Sequence, residues 1–177
     1  MSKYEFDDFI ALLRARYYFL RAERGGPRIR AWGRLYVNQY GRLVIGDRCR
    51  FVGYMGGLEL GCGGEGLLEI GENTFINYGT SIFASDLIRI GKDCHIGTYC
   101  MLMDNDFHGI EPEKRNEMPP SDPIVLEDNV WLGGRVIVLK GVTIGEGSVI
   151  AAGSIVTKDI PPRSLAVGSP ARIVREL

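Results

Sequence analysis

The sequence predicts an all-β chain wound as a parallel β-helix, with one short helix at its N-terminal end and one loop extruded from the coil. Three observations carry this. Aliphatic residues recur every six positions from Leu126 through Leu132, Val138, Ile144 and Ile150 to Val156. The same beat runs upstream as Ile70, Ile76 and Ile82, and again as Ile90, Ile96 and Leu102. It then fails once, over a polar stretch from Asn105 to Pro123 that holds Pro112, Pro119 and Pro120. A six-residue period matches neither a helical stripe at about 3.6 nor a lone alternating strand at about 2. It matches a short strand and a tight corner, repeated, and fixed periods of this kind mark solenoids.

Three such faces make one triangular coil of about 18 residues, and coils stack at the inter-strand spacing of about 4.7–4.9 Å. Leu126 is therefore expected against Ile144, and Leu132 against Ile150. The residue after the aliphatic is often small, as in Gly133, Gly145 and Ala151, and glycine there is expected to permit corner dihedrals that a Cβ would resist. The residue four after it is small or β-branched (Val130, Val136, Val142, Ser148, Ser154) and should point inward near the corner. Cys49, Cys94 and Cys100 fall at that same position, so they read as reduced core residues.

In chain order, residues 3–24 read as a helix. Phe6, Phe9, Ile10, Leu13, Tyr17 and Leu20 form one apolar stripe, Arg14, Arg16, Arg21 and Arg24 lie off it, and Gly25, Gly26 and Pro27 end it. Residues 1–27 are thus an N-terminal helical unit and residues 28–177 a β-helix domain. The helix packs on the first coil or on a neighbouring subunit, or lies as a basic amphipathic contact on a membrane surface. Residues 28–60 start the coil with Ile45 and Phe51 in phase, and residues 61–66 are an irregular turn. Residues 70–102 are regular apart from a two-residue insertion between Ile82 and Ile90. After the loop at about 105–123 the beat resumes to Val156, Pro161 and Pro162 close the coil, and Leu165–Leu177 form a last strand or cap.

The whole chain is 177 residues, enough for one domain with a core, and its net charge of −1 argues against nucleic-acid binding. There is no apolar run of about 18 residues and the first 24 carry about nine charges, so a soluble cytoplasmic chain is expected.

A regular solenoid has no structural need for one long excursion, and long loops in compact folds usually carry function. This loop opens Asp104-Asn105-Asp106-Phe107-His108-Gly109. His95, the only other histidine, sits at an outward position inside a repeat and reads as a surface residue. His108 sits where the loop leaves the coil, beside carboxylates. An imidazole titrates near neutral pH and can take a proton from an alcohol, and an adjacent Asp or backbone carbonyl can fix its tautomer. His108 is either such a base or a plain loop histidine.

The stretch Pro123-Ile124-Val125-Leu126-Glu127-Asp128-Asn129-Val130-Trp131-Leu132-Gly133 is followed by Leu139-Lys140-Gly141-Val142-Thr143-Ile144-Gly145. Then come Ala152-Gly153-Ser154-Ile155-Val156-Thr157-Lys158-Asp159-Ile160-Pro161 and Gly168-Ser169-Pro170-Ala171-Arg172. Over roughly residues 68–175 this resembles the hexapeptide-repeat O-acetyltransferases, which include galactoside, maltose and many polysaccharide acetyltransferases. The resemblance implies a left-handed β-helix and a homotrimer, with acetyl-coenzyme A lying in the groove between two subunits. It implies that His108 deprotonates an acceptor hydroxyl, which attacks the thioester. It places Asn77, Asp86 and Asp106 at the acceptor. Trp131 falls near the thioester or in the trimer interface. Gly134 and Ala152 fall along the pantetheine arm, with Thr157 and Lys158 beside the nucleotide end. Arg172 and Arg175 fall near the phosphates, although Lys158 and Arg175 also suit a solvated surface. A backbone N–H at the Gly133-Gly134 corner would meet the carbonyl oxygen. A thioester is already activated, so this chemistry requires no metal.

The N-terminal helix is more similar to that of members from surface-polysaccharide synthesis than to the galactoside and maltose enzymes. The reading is therefore O-acetylation of a sugar hydroxyl in surface polysaccharide biosynthesis. The alternatives are N-acetylation of an amino sugar or nucleotide sugar, a xenobiotic acetyltransferase, and a non-catalytic scaffold. A zinc hydratase on the same coil would need three histidine ligands, and the chain has two histidines.

Overall fold

The computed structural model describes residues 3–177, with side chains from Asp7 onward. The chain winds over three faces in turn. The first stacks Glu23–Arg24, Arg42–Ile45, Leu67–Ile70, Leu87–Ile90, Ile124–Leu126 and Thr143–Ile144, all parallel. Two long strands, Arg30–Gln39 and Arg50–Cys62, start on the second face and end on the third. The second face continues through Phe75–Ile76, His95–Ile96, Trp131–Leu132, Val149–Ile150 and Ser164–Gly168. The third continues through Ser81–Ala84, Met101–Met103, Ile137–Val138 and Ile155–Val156.

The aliphatic beat becomes three vertical columns. Ile45, Ile70, Ile90, Leu126 and Ile144 pair in register on the first face. Phe51, Ile76, Ile96, Leu132 and Ile150 do so on the second, and Leu60, Ile82, Leu102, Val138 and Val156 on the third. Every one of these side chains is buried. Leu126 does meet Ile144, and Leu132 meets Ile150. Ile90 also pairs directly with Leu126, so the coils on either side of the loop are adjacent and the loop replaces no coil.

The corners correct one expectation. The left-handed backbone position is the third residue after the aliphatic, not the first. It is held by Arg48, Asn73, Asp93, Asn129 and Gly147 at one corner and by Gly79, Tyr99, Arg135 and Gly153 at the next. The glycine directly after the aliphatic answers a different constraint, the close approach of the next coil. A Cβ on Gly133 would sit 2.6 Å from the amide nitrogen of Ala152, and one on Gly145 would sit 2.4 Å from that of Pro162.

The inward position four after the aliphatic does more than fill space. Cys49 Sγ donates to the Gly71 carbonyl (3.1 Å), Thr74 Oγ1 to Gly91 (2.8 Å) and Cys94 Sγ to Glu127 (3.2 Å). At the next corner Thr80 donates to Gly97 and Cys100 to Gly133. Each bond links one coil to the following one. All four cysteines are buried and free, as expected. Burial pushes the Cys49 thiol up to about 12 and the Cys94 thiol up to about 11.

Both ends differ from the sequence reading. The helix is Lys3–Tyr18, and the chain then turns so that Glu23–Arg24 joins the first face beside Val44 and Ile45. Arg21 and Arg24 therefore lie off the helix. The buried side of this segment is Ala11, Ala15 and Phe19, with the Phe19 ring 5.0 Å from Phe51. Most of the expected apolar stripe faces outward: Phe9, Leu13, Tyr17 and Leu20 are exposed and Ile10 is half-buried, while Phe6 lies outside the residues whose side chains are described. Small residues win the inner side because the helix lies close on the first coil, where a larger side chain would hold it off. The C-terminal end is a hairpin, not one strand: Ser164–Gly168 pairs antiparallel with Ala171–Glu176. Among the described residues no helix is long and apolar enough to cross a membrane.

Candidate active site

The loop leaves the corner between the third and first faces, and three side chains fasten it there. Asp104 is fully buried. Its carboxylate accepts the backbone N–H groups of Ser85 (2.7 Å), Asp86 (2.8 Å) and Leu87 (2.8 Å) from the coil beneath. The buried Asn105 closes the loop on itself. Its amide donates to the Pro119 carbonyl and to Ser121 Oγ, both at 2.8 Å, and its Oδ1 accepts the Phe107 N–H at 2.6 Å. Lys140, from the following coil, reaches Asp106 (2.9 Å), the Pro120 carbonyl (3.1 Å) and Asp122 (3.6 Å), tying both limbs of the loop together. The hydrogen bond to Asp106 holds the Lys140 ammonium above its ordinary range. The Phe107 ring packs edge-on against Phe83, 5.9 Å between centroids.

These anchors present His108 in an exposed position with one ring nitrogen engaged. Nδ1 lies 3.0 Å from the Arg115 carbonyl oxygen. A carbonyl can only accept, so Nδ1 carries a proton, and in the neutral ring the lone pair is on Nε2. A carbonyl, not a neighbouring carboxylate, fixes the tautomer; Asp106 is engaged by Lys140 instead. Asp104, Asn105 and Lys140 did not emerge as site residues from the sequence. Asp104 and Asn105 open the loop, which was a usable signal; Lys140 is recognisable only once the coils are stacked.

The other sequence-derived residues fall on two edges of the solenoid. Asp86 sits on the loop edge, one coil below, and Thr157 and Lys158 are exposed on that edge one coil beyond Lys140. Asn77, Gly134 and Ala152 lie on the other edge, between the second and third faces. Asn77 Oδ1 accepts the N–H of Tyr78 (2.9 Å) and so caps its own corner. Trp131 projects from the second face beside His95 and is 55% exposed, so it is not a core ring of this chain. Arg172 and Arg175 are exposed on the terminal hairpin. The chain alone thus groups His108 with Asp106, Asp86, Thr157 and Lys158, and leaves Trp131, Gly134, Ala152 and Arg172 on other surfaces.

Whether an extended amide-bearing arm fits the second edge can be read from its backbone. Gly133 N–H is spent on the Ile150 carbonyl. The N–H groups of Gly134 and Ala152 donate to no acceptor among the described residues, and both residues are solvent-accessible one coil apart. The Ala152 N–H suits a carbonyl of a pantetheine arm, and the Gly134 amide, unlike that of Gly133, has no acceptor among the described residues and so suits an oxyanion.

The signature of the family described as bacterial transferase hexapeptide (six repeats) matches residues 123–158. The inferred acetyltransferase SAR2635 of Staphylococcus aureus is 45% identical over 133 residues, covering 62% of this chain and 67% of its own length. The galactoside O-acetyltransferase of Escherichia coli is 40% identical over 111 residues, 62% of this chain and 54% of the enzyme. The chain thus spans between about half and two thirds of these relatives. The hexapeptide-repeat acetyltransferase VCA0836 of Vibrio cholerae, solved with acetyl-coenzyme A, superposes with a TM-score of 0.68 at 29% identity over 93% of this chain and 76% of that one. With the stacked six-residue coils, these matches place the chain in the hexapeptide-repeat acetyltransferase family.

Proposed function

We propose that the chain transfers an acetyl group from acetyl-coenzyme A to a hydroxyl of a sugar, in the cytoplasm and in the service of surface polysaccharide synthesis. The observation that carries this is the His108 tautomer: Nδ1 is committed to the Arg115 carbonyl, which leaves Nε2 as a base. When bound, acetyl-coenzyme A supplies a thioester already activated toward attack. Residues 28–177 form the transferase domain and residues 105–123 its catalytic loop. His108 Nε2 would take the proton of the acceptor hydroxyl as its oxygen adds to the acetyl carbon, and would hand that proton to the departing thiol sulfur as the C–S bond breaks. Gly134 N–H donates to the carbonyl oxygen as charge develops there. Asp86, Asp106 and Asn77 orient the acceptor, and Thr157, Lys158, Arg172 and Arg175 hold the nucleotide and phosphates.

The two edges that carry these groups face apart in one chain. A homotrimer in which the loop edge of one copy meets the second face of the next would complete the site. The 40% identity to a galactoside O-acetyltransferase favours a hydroxyl acceptor over an amine.

The test is thiol release from acetyl-coenzyme A against a panel of sugars, amino sugars and nucleotide sugars, with the products weighed by mass spectrometry. His108→Ala should lower turnover by about 10²–10⁴ with coenzyme A binding retained. Turnover of that variant at the wild-type rate would remove His108 as base, and modification of amines alone would make the enzyme an N-acetyltransferase.

A further inference from the structure

Beside the loop, the outer side of the third face holds a groove of about 400 Å³, within the range of small-molecule sites. None of the residues that the family pattern assigns to the acceptor lines it. Its walls are aromatic. Phe83 and Phe107 stand edge to face on one side, and Tyr36 stands on the other. Its polar groups are Asn38, Glu59 and Ser81. Strand register explains why they converge: Tyr36 pairs with Glu59 and Glu59 with Ser81, while Asn38 pairs with Gly61 and Gly61 with Phe83.

Two glycines make room for the walls. A Cβ on Gly61 would lie 2.5 Å from the Phe83 ring, and one on Gly57 would lie 2.3 Å from the Tyr36 ring. Each ring therefore has one edge in the space above a residue without a side chain, and Arg34 holds the Tyr36 hydroxyl at 3.3 Å. Ser81 Oγ donates to Glu59 Oε2 at 2.9 Å, which fixes the carboxylate and leaves Oε1 without a hydrogen-bond partner among the described residues. Phe107, which forms part of one wall, is the residue immediately before His108.

Flat aromatic faces beside a fixed carboxylate and an amide match a pyranose, whose C–H face stacks on a ring while its edge hydroxyls donate to acceptors. Among the described residues Glu59 is the only charged group lining the groove, and it repels a second carboxylate or a phosphate. We infer that this groove is a further sugar subsite for the acceptor, additional to the contacts proposed for Asn77, Asp86 and Asp106, and that it selects pyranose units bearing no acidic group. This rests on the acetyl-transfer reading above, and its test separates the two.

Neutral pyranosides, their uronic acid counterparts and a short neutral oligosaccharide would be compared as acceptors and, by ligand-observed NMR, as binders. Glu59→Gln keeps the shape and removes the charge. It should raise KM for neutral acceptors about 10–100-fold and narrow the preference over uronic acids, with KM for acetyl-coenzyme A unchanged. Gly61→Val, which pushes Phe83 into the groove, should abolish sugar binding; Phe83→Ala should weaken it without crowding. Preference for the oligosaccharide over the monosaccharide would identify a polymer end as the source of the unit. Transfer that depends on His108 but ignores Glu59→Gln and Phe83→Ala would overturn the groove and leave the transfer reading standing. Saturation transfer to neutral pyranosides that Glu59→Gln weakens, without turnover on any acceptor, would uphold the groove and sink the transfer reading. Equal or tighter binding of the uronic acids would overturn the selectivity.

Discussion

Replacing Asp104 by Asn changes one atom in a fully buried group and should cost the fold and the loop together. In the wild type, Oδ1 accepts from Ser85 and Oδ2 accepts from both Asp86 and Leu87. An amide has one acceptor oxygen. In its better orientation it keeps the two bonds at Oδ2, weakened because the acceptor is no longer charged, and turns an NH₂ toward the Ser85 N–H. The buried donor left unpaired costs about 1–3 kcal/mol, and each retained bond falls from the charged to the neutral range, about 1 kcal/mol apiece. The sum is about 3–5 kcal/mol, which for a chain of this size lowers Tm by about 6–20 °C. Calorimetry reads the Tm, and amide exchange at Ser85, Asp86 and Leu87 reads the local opening. A Tm within about 2 °C of wild type, with those amides still protected, would refute the assignment of Asp104 as the anchor of the loop.

Two further outcomes follow from the same structure. Lys140→Met should free both limbs of the loop, raising amide exchange across residues 105–121 and lowering kcat while KM for acetyl-coenzyme A stays constant; Lys140→Arg should recover part of the loss, and unchanged exchange would separate the lysine from the loop. The buried thiols should resist a thiol reagent at pH 8 in the native protein. Their raised values also set the alkaline stability: the unfolded chain ionises its cysteines from about pH 8.5 while the fold keeps Cys94 and Cys49 neutral to about 11 and about 12, so stability declines with rising pH across that window. Urea titrations at pH 7.5 and 10 check this, and Cys94→Val, the residue found at the equivalent Val130, should flatten the decline.

The coil was legible because its signal is periodic: Leu126, Leu132 and Val138 announce three faces, and the register confirms each partner. Non-periodic features were legible only in part. His108 stood out by its type and by the broken beat around it, but its Arg115 partner depends on the fold of the loop. The helix stripe misled because hydrophobicity alone does not say how closely a helix lies; Ala11 and Ala15 allow the approach that Leu13 and Tyr17 would block. The glycines after the aliphatics were found but explained wrongly, since the neighbour that excludes a side chain belongs to the next coil. The groove was invisible in the sequence, because Tyr36, Glu59 and Phe83 come from three coils with no shared motif.

The inward column of thiols and hydroxyls binds each coil to the next, and it has one gap. Cys94 and Cys100 reach the coil that begins at Ile124. In that coil the equivalent positions are Val130 and Val136, which have nothing to donate, and the column resumes only with Ser148. At this junction the corners are joined from within by aliphatic contact alone. In a stack whose stability is a sum of neighbour terms, the weakest interface decides where the array divides. If this junction is the one that yields, the division falls between Val142 and Thr143, and the piece beyond it carries Ala152, Thr157, Lys158 and Arg172. The joint therefore runs through the proposed carrier contacts, leaving Trp131 and Gly134 on the base-bearing side and Ala152, Thr157, Lys158 and Arg172 on the other.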